Sequence, residues 1–233
     1  MDNHNADENY NLFNALMSLP FFIDNIYLSM QAQNIAVVDA YLRDLEQGLV
    51  IECWNTERTP VSSAVFVAAL SQMWVFAAYE LLRTWKQMAQ EIIIDIESPA
   101  PNPEASDQTT KSGRSRRIKK VKRTKVSEES VEYYNDSLSK AASNPDIIKA
   151  IQHSRDAIKP AFRRLTEIRI ALAKHEVAGA ASVHAHAPGY SRIDTTTGSI
   201  YWMVDKKDGT SEIISRRDLA DDIQQCCSPK ETI

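Results

Sequence analysis

The chain has 233 residues, of which 43% are hydrophobic and 25% are charged, a composition typical of a soluble globular protein with a sizeable core. Six glycines and 9 prolines argue against a β-sandwich, a collagen-like chain or a glycine-rich nucleotide-binding fold, and neither common phosphate-binding loop motif occurs. The net charge is -4, the start is polar and acidic, and three cysteines are too few for a disulfide framework. These features predict a cytoplasmic protein.

Hydrophobic periodicity predicts two helices in the first fifty residues. They cover residues 10–19 and 21–47, and Gly48 is a plausible end for the second. Residues 49–54 are apolar and β-branched, which is compatible with a strand or with a packed loop. The apolar positions assigned to the second helix are Phe22, Ile26, Val37, Val38, Tyr41, Leu42 and Leu45.

A long third helix is predicted to begin after a cap at Ser62 or Ser63. No charged residue occurs from Thr59 to Tyr79, and a bilayer span needs about 20 such residues. Serine, proline and glutamine dilute this stretch, and the helical pattern continues beyond it through charged positions. We therefore expect a buried central helix of a bundle rather than a membrane span.

A change of composition predicts a disordered linker over residues 97–127. Its first part is rich in proline, and nine basic residues without an acid lie between Lys111 and Lys125. Such a run binds polyanions by releasing counterions, although a solvated linker that separates two helical halves has the same composition. The predicted nucleic-acid contacts are Arg114, Arg116, Arg117, Lys119, Lys120, Lys122 and Arg123.

The second half of the chain predicts more helices and then a small sheet. One helix begins at Glu128, and another begins at Pro145 after Asn144 and continues to about residue 177 with a kink or restart at Pro160. Residues 199–204 and 210–214 flank an Asp-Gly turn and predict a hairpin, followed by a terminal helix that Ser215 caps.

These elements predict a mainly α-helical antiparallel bundle with a small carboxy-terminal β-meander and a terminal helix. We expect amino-terminal bundle helices in residues 1–96, the linker in 97–127, further bundle helices in 128–188, and the meander with its helix in 189–233.

One pair of residues suggests chemistry. Arg169 and His175 are separated by five residues on a predicted helix. Histidine can accept or give a proton near neutral pH, and the arginine fork matches phosphate oxygens. Positions six apart differ by about 120° around a helix and by about 9 Å along it. The two side chains of one chain therefore do not converge, whereas a two-fold dimer could gather two such pairs.

The Arg169–His175 spacing resembles the R-x(4-6)-H motif of the HEPN superfamily, and the resemblance covers residues 62–179 with the linker as an insertion. It implies a dimeric helical bundle and a metal-independent endoribonuclease of a toxin-antitoxin or phage-defence system. Arg169 and His175 would be the catalytic pair, with RNA as the substrate. An antitoxin or another protein is an implied partner.

The residues also permit structural roles. His175 continues an apolar stripe through Leu172 and so fits a core position, and Arg169 could pair with Glu176. Glu80 and Arg83 are one turn apart and could pair with each other, or Glu80 could orient Arg169. The alternative function is therefore a non-catalytic helical module that binds a partner protein, and whether the chain is an enzyme stays open.

We expect neither a metal nor a cofactor. His184 and His186 share a predicted loop nine or more residues after His175, but no cysteine or paired carboxylate lies near them in the sequence.

Overall fold

A computed structural model describes residues 4–97, 128–173, 192–205 and 209–227. Six helices and a three-stranded antiparallel sheet lie within these ranges. This architecture confirms the predicted mainly α-helical bundle with a carboxy-terminal β-meander and a terminal helix. The predicted linker after Glu97, including the whole basic run, lies outside the described residues.

The elements have the following bounds. The helices are α1 His4–Met17, α2 Ile26–Thr56, α3 Val61–Glu97, α4 Glu128–Ser143, α5 Pro145–Ala173 and α6 Arg216–Cys227, and the strands are β1 Arg192–Ile193, β2 Ile200–Asp205 and β3 Ser211–Ser215.

Helix α2 extends beyond its predicted end. The side chain of Asn25 caps it by accepting hydrogen bonds from the main-chain N–H groups of Tyr27 and Leu28 at 3.1 Å. Gly48 does not end the helix, and residues 49–54 are helical rather than a strand or a loop. Leu49 is buried and continues the core face of the helix. That burial outweighs the cost of a helical glycine, which is about 1 kcal/mol.

The predicted apolar face of α2 is largely wrong. Val37 and Tyr41 are 58% and 52% exposed, and Ile26 is also exposed. The residues that the helix buries are Leu28, Ala32, Ile35, Ala36, Asp39, Leu42, Glu46 and Leu49. Of the predicted positions within the helix only Leu42 belongs to this set. Its other members include alanines and two acids, which a search for large apolar residues passes over.

Helix α3 forms a hairpin with α2 and is only partly the buried central helix that we expected. One side of the helix is buried along most of its length, and the indole N–H of Trp74 on that side donates to the main-chain carbonyl of Ile35 at 3.1 Å. The other side of its amino-terminal half exposes large apolar side chains, including Val61, Val65, Phe66 and Met73.

Helix α5 lies antiparallel to α3, because Tyr79 contacts Phe162 while Gln90, further along α3, contacts Arg155. Asn144 precedes it and accepts a hydrogen bond from the main-chain N–H of Asp146 at 3.0 Å, which confirms the predicted start. Pro160 lies inside this one helix and does not divide it.

The carboxy-terminal part follows the prediction closely. Strands β2 and β3 form the hairpin, with Ile200, Trp202 and Val204 on the buried side of β2. Ser215 caps α6 by accepting from the N–H of Asp218 at 3.0 Å, and the Asp218 carboxylate accepts from the N–H of Ser215 at 3.2 Å. Helix α6 then packs against both α1 and α5.

A buried ionic cluster fastens α6 to α2. The side chain of Arg216 is fully buried and contacts the carboxylates of both Asp39 and Glu46, with 2.8 Å between its Nη2 and Oε1 of Glu46. Arg217 reaches the other oxygen of Glu46 at 2.8 Å. The Arg216 guanidinium also lies 5.6 Å from the centre of the Trp74 ring, so α2, α3 and α6 meet at this residue.

A glycine allows the sheet to approach the same point. Gly198 has a φ of +72°, and a Cβ placed there would lie 2.0 Å from the main-chain carbonyl oxygen of Glu46. Only glycine therefore fits where the turn between β1 and β2 touches α2.

Candidate functional site

Arg169 lies on α5 and faces α3. The centre of its guanidinium is 4.8 Å from the centre of the Tyr79 ring. Its Nε is buried without an acceptor, and no hydrogen bond or ion pair joins Arg169 to another described residue. A guanidinium that is held against a ring but has no acidic partner can present its terminal N–H groups to an external anion.

Two aromatic rings organise the surface around Arg169. The rings of Tyr79 and Phe162 stack at 5.5 Å between centres and 14° between planes. The ammonium of Lys86 lies 3.9 Å from the centre of the Phe162 ring. Each ring thus contacts the other ring and one cation. The pair serves to position cations, and neither ring is a free platform on which a nucleic-acid base could stack.

Further positive charge gathers on the same side of α3 and α5. Burial lowers the pKa of Lys86, and the charges of Arg155 and Lys159 lower it further. Arg155 donates a hydrogen bond to the amide oxygen of Gln90, while its Nε is buried without an acceptor. Within the described ranges, none of these three cations forms a salt bridge.

We call this set the α3–α5 face, and its members are Tyr79, Lys86, Arg155, Lys159, Phe162 and Arg169. The four cations of this face form no ion pair with a described carboxylate, and the charges of Arg155 and Lys159 lower the pKa of the Lys86 ammonium. An anion that binds among such cations stabilises them. The buried cluster around Arg216 differs in this respect, because there each arginine meets a carboxylate.

Glu80 and Arg83 pair with each other. The Nη2 of Arg83 is 2.6 Å from Oε2 of Glu80, and its Nη1 donates to Oε1 of Gln87 at 3.1 Å. The side chains of Glu80 and Arg83 are each about half exposed. The first of the two predicted roles is therefore confirmed, and the described contacts give Glu80 no part in orienting Arg169.

The structure does not test the other half of the predicted catalytic pair. The description of α5 ends at Ala173, so His175 and Glu176 lie outside the described residues, as do His184, His186 and the seven basic residues of the linker. No group of three histidine, cysteine, aspartate or glutamate residues in the described part of the chain is arranged to hold a metal ion.

Most of the α3–α5 face was not predicted from the sequence. On α5, Arg155, Phe162 and Arg169 recur every seven residues, and on α3 the same interval separates Tyr79 from Lys86. Residues seven apart lie on one side of a helix. A search for aromatic and basic residues at this interval could have identified the two helical stripes, although not their pairing.

No family model matches the chain, and neither a curated protein nor a solved structure is significantly similar to it.

Proposed function

We propose that this chain is an RNA-binding helical protein, and that its α3–α5 face holds the phosphate backbone with Arg169 as the central contact. The observation that carries the proposal is the uncommitted Arg169 guanidinium, which is part-buried against Tyr79 and has no acid partner among the described residues. Lys86 and Arg155 add positive charge on the same side. The basic run of the linker adds a long-range electrostatic attraction to nucleic acid, because a basic segment releases counterions when it binds a polyanion.

The finer proposal is that the chain cleaves RNA as a HEPN-like, metal-independent endoribonuclease of a toxin-antitoxin or phage-defence system in the cytoplasm. In this reaction His175 takes the proton of the ribose 2'-hydroxyl, and that oxygen attacks the adjacent phosphorus. Arg169 stabilises the charge that develops on the phosphorane oxygens. The leaving 5'-oxygen takes a proton from the second, protonated His175 of the homodimer, and the strand ends in a 2',3'-cyclic phosphate. The resemblance requires a homodimer for this step.

Binding of a fluorescently labelled single-stranded RNA, measured by anisotropy at physiological salt, tests the first proposal. Arg169→Ala should raise Kd about tenfold or more, because one charge-assisted hydrogen bond contributes about 1.5 to 3 kcal/mol. Lys86→Ala should have a smaller effect in the same direction. Oligo-U and oligo-A should bind similarly, since both rings are already engaged.

Lys149→Ala is the matched control for that measurement. It also removes one positive charge from α5, but Lys149 is highly exposed and pairs with Asp146 at 2.9 Å. If Arg169→Ala weakens binding no more than Lys149→Ala does, Arg169 is not a phosphate contact and the proposal fails.

A second candidate function is the non-catalytic interaction module, and one specific observation favours it. The amino-terminal half of α3 presents a wide apolar surface that no described element covers.

A further inference from the structure

The amino-terminal half of α3 is apolar, uncharged and exposed. Val61, Val65, Phe66 and Met73 are 70%, 63%, 51% and 67% exposed. No charged residue occurs between Val61 and Tyr79. Helix α3 is the one described helix that is long and apolar enough to cross a membrane. Only 28% of its most apolar stretch is buried. So large an apolar surface marks an interaction site.

The exposed residues form a self-complementary row. Val61, Val65, Ala69, Met73 and Ala77 follow one another at intervals of four, and Ala69 is the midpoint of the row. If a second, antiparallel copy of the row crosses it at Ala69, Val65 of each copy lies near Met73 of the other, one turn from the crossing point. A branched side chain then lies opposite a flexible one, and two alanines face each other where the helices are closest.

We propose that this surface, the apolar α3 face, binds the same face of a second copy of the chain, with Ala69 beside the two-fold axis. Rows of residues four apart pack into each other at a crossing angle of about −50°. The inference names the surface through which two copies meet, which the proposed function leaves open. It depends only on the exposed face of α3 and holds whether or not Arg169 binds RNA.

The available area suits a dimer. Ile51 and Trp54, at the end of α2 that leads into α3, are 54% and 76% exposed. Together with the four large side chains of α3 they expose on the order of 700 Å², close to the ~800 Å² that each partner contributes to a standard interface.

The charges favour a second copy over a bilayer. Two uncharged faces can meet without opposing like charges, which is the main electrostatic obstacle to self-association. Helices that bind membrane surfaces carry lysine and arginine beside their apolar residues. Here the hairpin end carries the exposed acids Glu52 and Glu57 and only one cation, Arg58. Anionic headgroups would repel this arrangement.

Light scattering coupled to size-exclusion chromatography tests the proposal at micromolar protein concentration. The full chain should elute with the mass of a dimer, and Met73→Glu should elute with the mass of a monomer while its circular dichroism is unchanged. Met203→Glu is the matched control, because Met203 is also 67% exposed but lies on the outer side of the sheet. That variant should stay dimeric.

A cysteine introduced at the axis reports the geometry. Under mild oxidation Ala69→Cys should form a covalent dimer, whereas Thr84→Cys, about 22 Å further along α3, should not. A monomeric wild-type chain would overturn the proposal. So would a dimer that Met73→Glu leaves intact, or co-sedimentation of the wild type with phosphatidylcholine vesicles that Met73→Glu abolishes.

Discussion

Replacing Arg216 by methionine should lower the free energy of unfolding by about 3 to 5 kcal/mol, the usual cost of removing one partner from a buried ion pair. The guanidinium is fully buried and contacts both Asp39 and Glu46, which are themselves buried. Methionine preserves much of the volume but leaves these two carboxylates short of a positive partner in the core. Denaturant unfolding followed by tryptophan fluorescence measures the change, and Trp74 beside Arg216 makes this signal sensitive to the site.

Two further variants separate charge from packing in that experiment. Arg43→Met should cost less, because Arg43 is 17% exposed and one of its partners, Asp221, is mostly in solvent. The triple variant Asp39→Leu, Glu46→Met, Arg216→Met should recover part of the loss, since it removes the two buried carboxylates together with the buried guanidinium. Arg217, which loses Glu46, is 26% exposed, and Arg43 keeps Asp221. A stability of Arg216→Met within about 1 kcal/mol of the wild type would show that the cluster does not fasten α6 to α2.

His175→Ala should reduce RNA cleavage by a factor of about 10² to 10⁴, the usual contribution of a general acid or base. Arg169→Ala should reduce it by about 10² to 10³ through the loss of charge stabilisation. Cleavage should continue in the presence of a chelator and should leave a cyclic phosphate. Gel analysis of an end-labelled RNA measures all three effects, and thermal unfolding confirms that the variants are folded.

His153→Ala is the control for the histidine variant, because His153 is an exposed histidine in the first half of α5. It should cleave RNA like the wild type. If His175 has the core role instead, His175→Ala should lower the free energy of unfolding by about 1 kcal/mol or more, and Arg169→Ala should change little. Loss of stability without wild-type cleavage of any RNA would end the enzyme proposal and favour the interaction module.

The fold could be predicted from the sequence wherever local signals determine it. Asn144 before Pro145, Ser215 three residues before Asp218, and the two β-rich runs that flank Asp208-Gly209 each specify a boundary through nearby atoms. The face of α2 could not be predicted in this way. Asp39 and Glu46 are buried because they meet Arg216, which is 177 and 170 residues away in the chain, and no local pattern contains that pairing.

The candidate site shows the same division. The spacing to His175 made Arg169 a candidate, whose role stays a prediction, and the one-turn spacing of Glu80 and Arg83 indicated their ion pair. The gathering of Lys86 with Arg155 and Lys159 depends on the register between α3 and α5, which packing in the core determines. The exposure of Val65 and Met73 could not be predicted either. Periodicity shows that a helix has an apolar stripe, but it does not show whether the rest of the chain covers that stripe.

Whether RNA phosphate meets the guanidinium of Arg169 is tested most directly by the side-chain Nε–Hε resonances of an arginine-labelled protein. The signal that disappears in Arg169→Lys identifies this residue, and the fully buried Arg216 provides an internal reference. On titration with a short single-stranded RNA, the Arg169 signal should shift with the binding curve while the Arg216 signal stays in place. An Arg169 signal that does not move at saturating RNA, while other arginine signals do, would contradict the proposed contact.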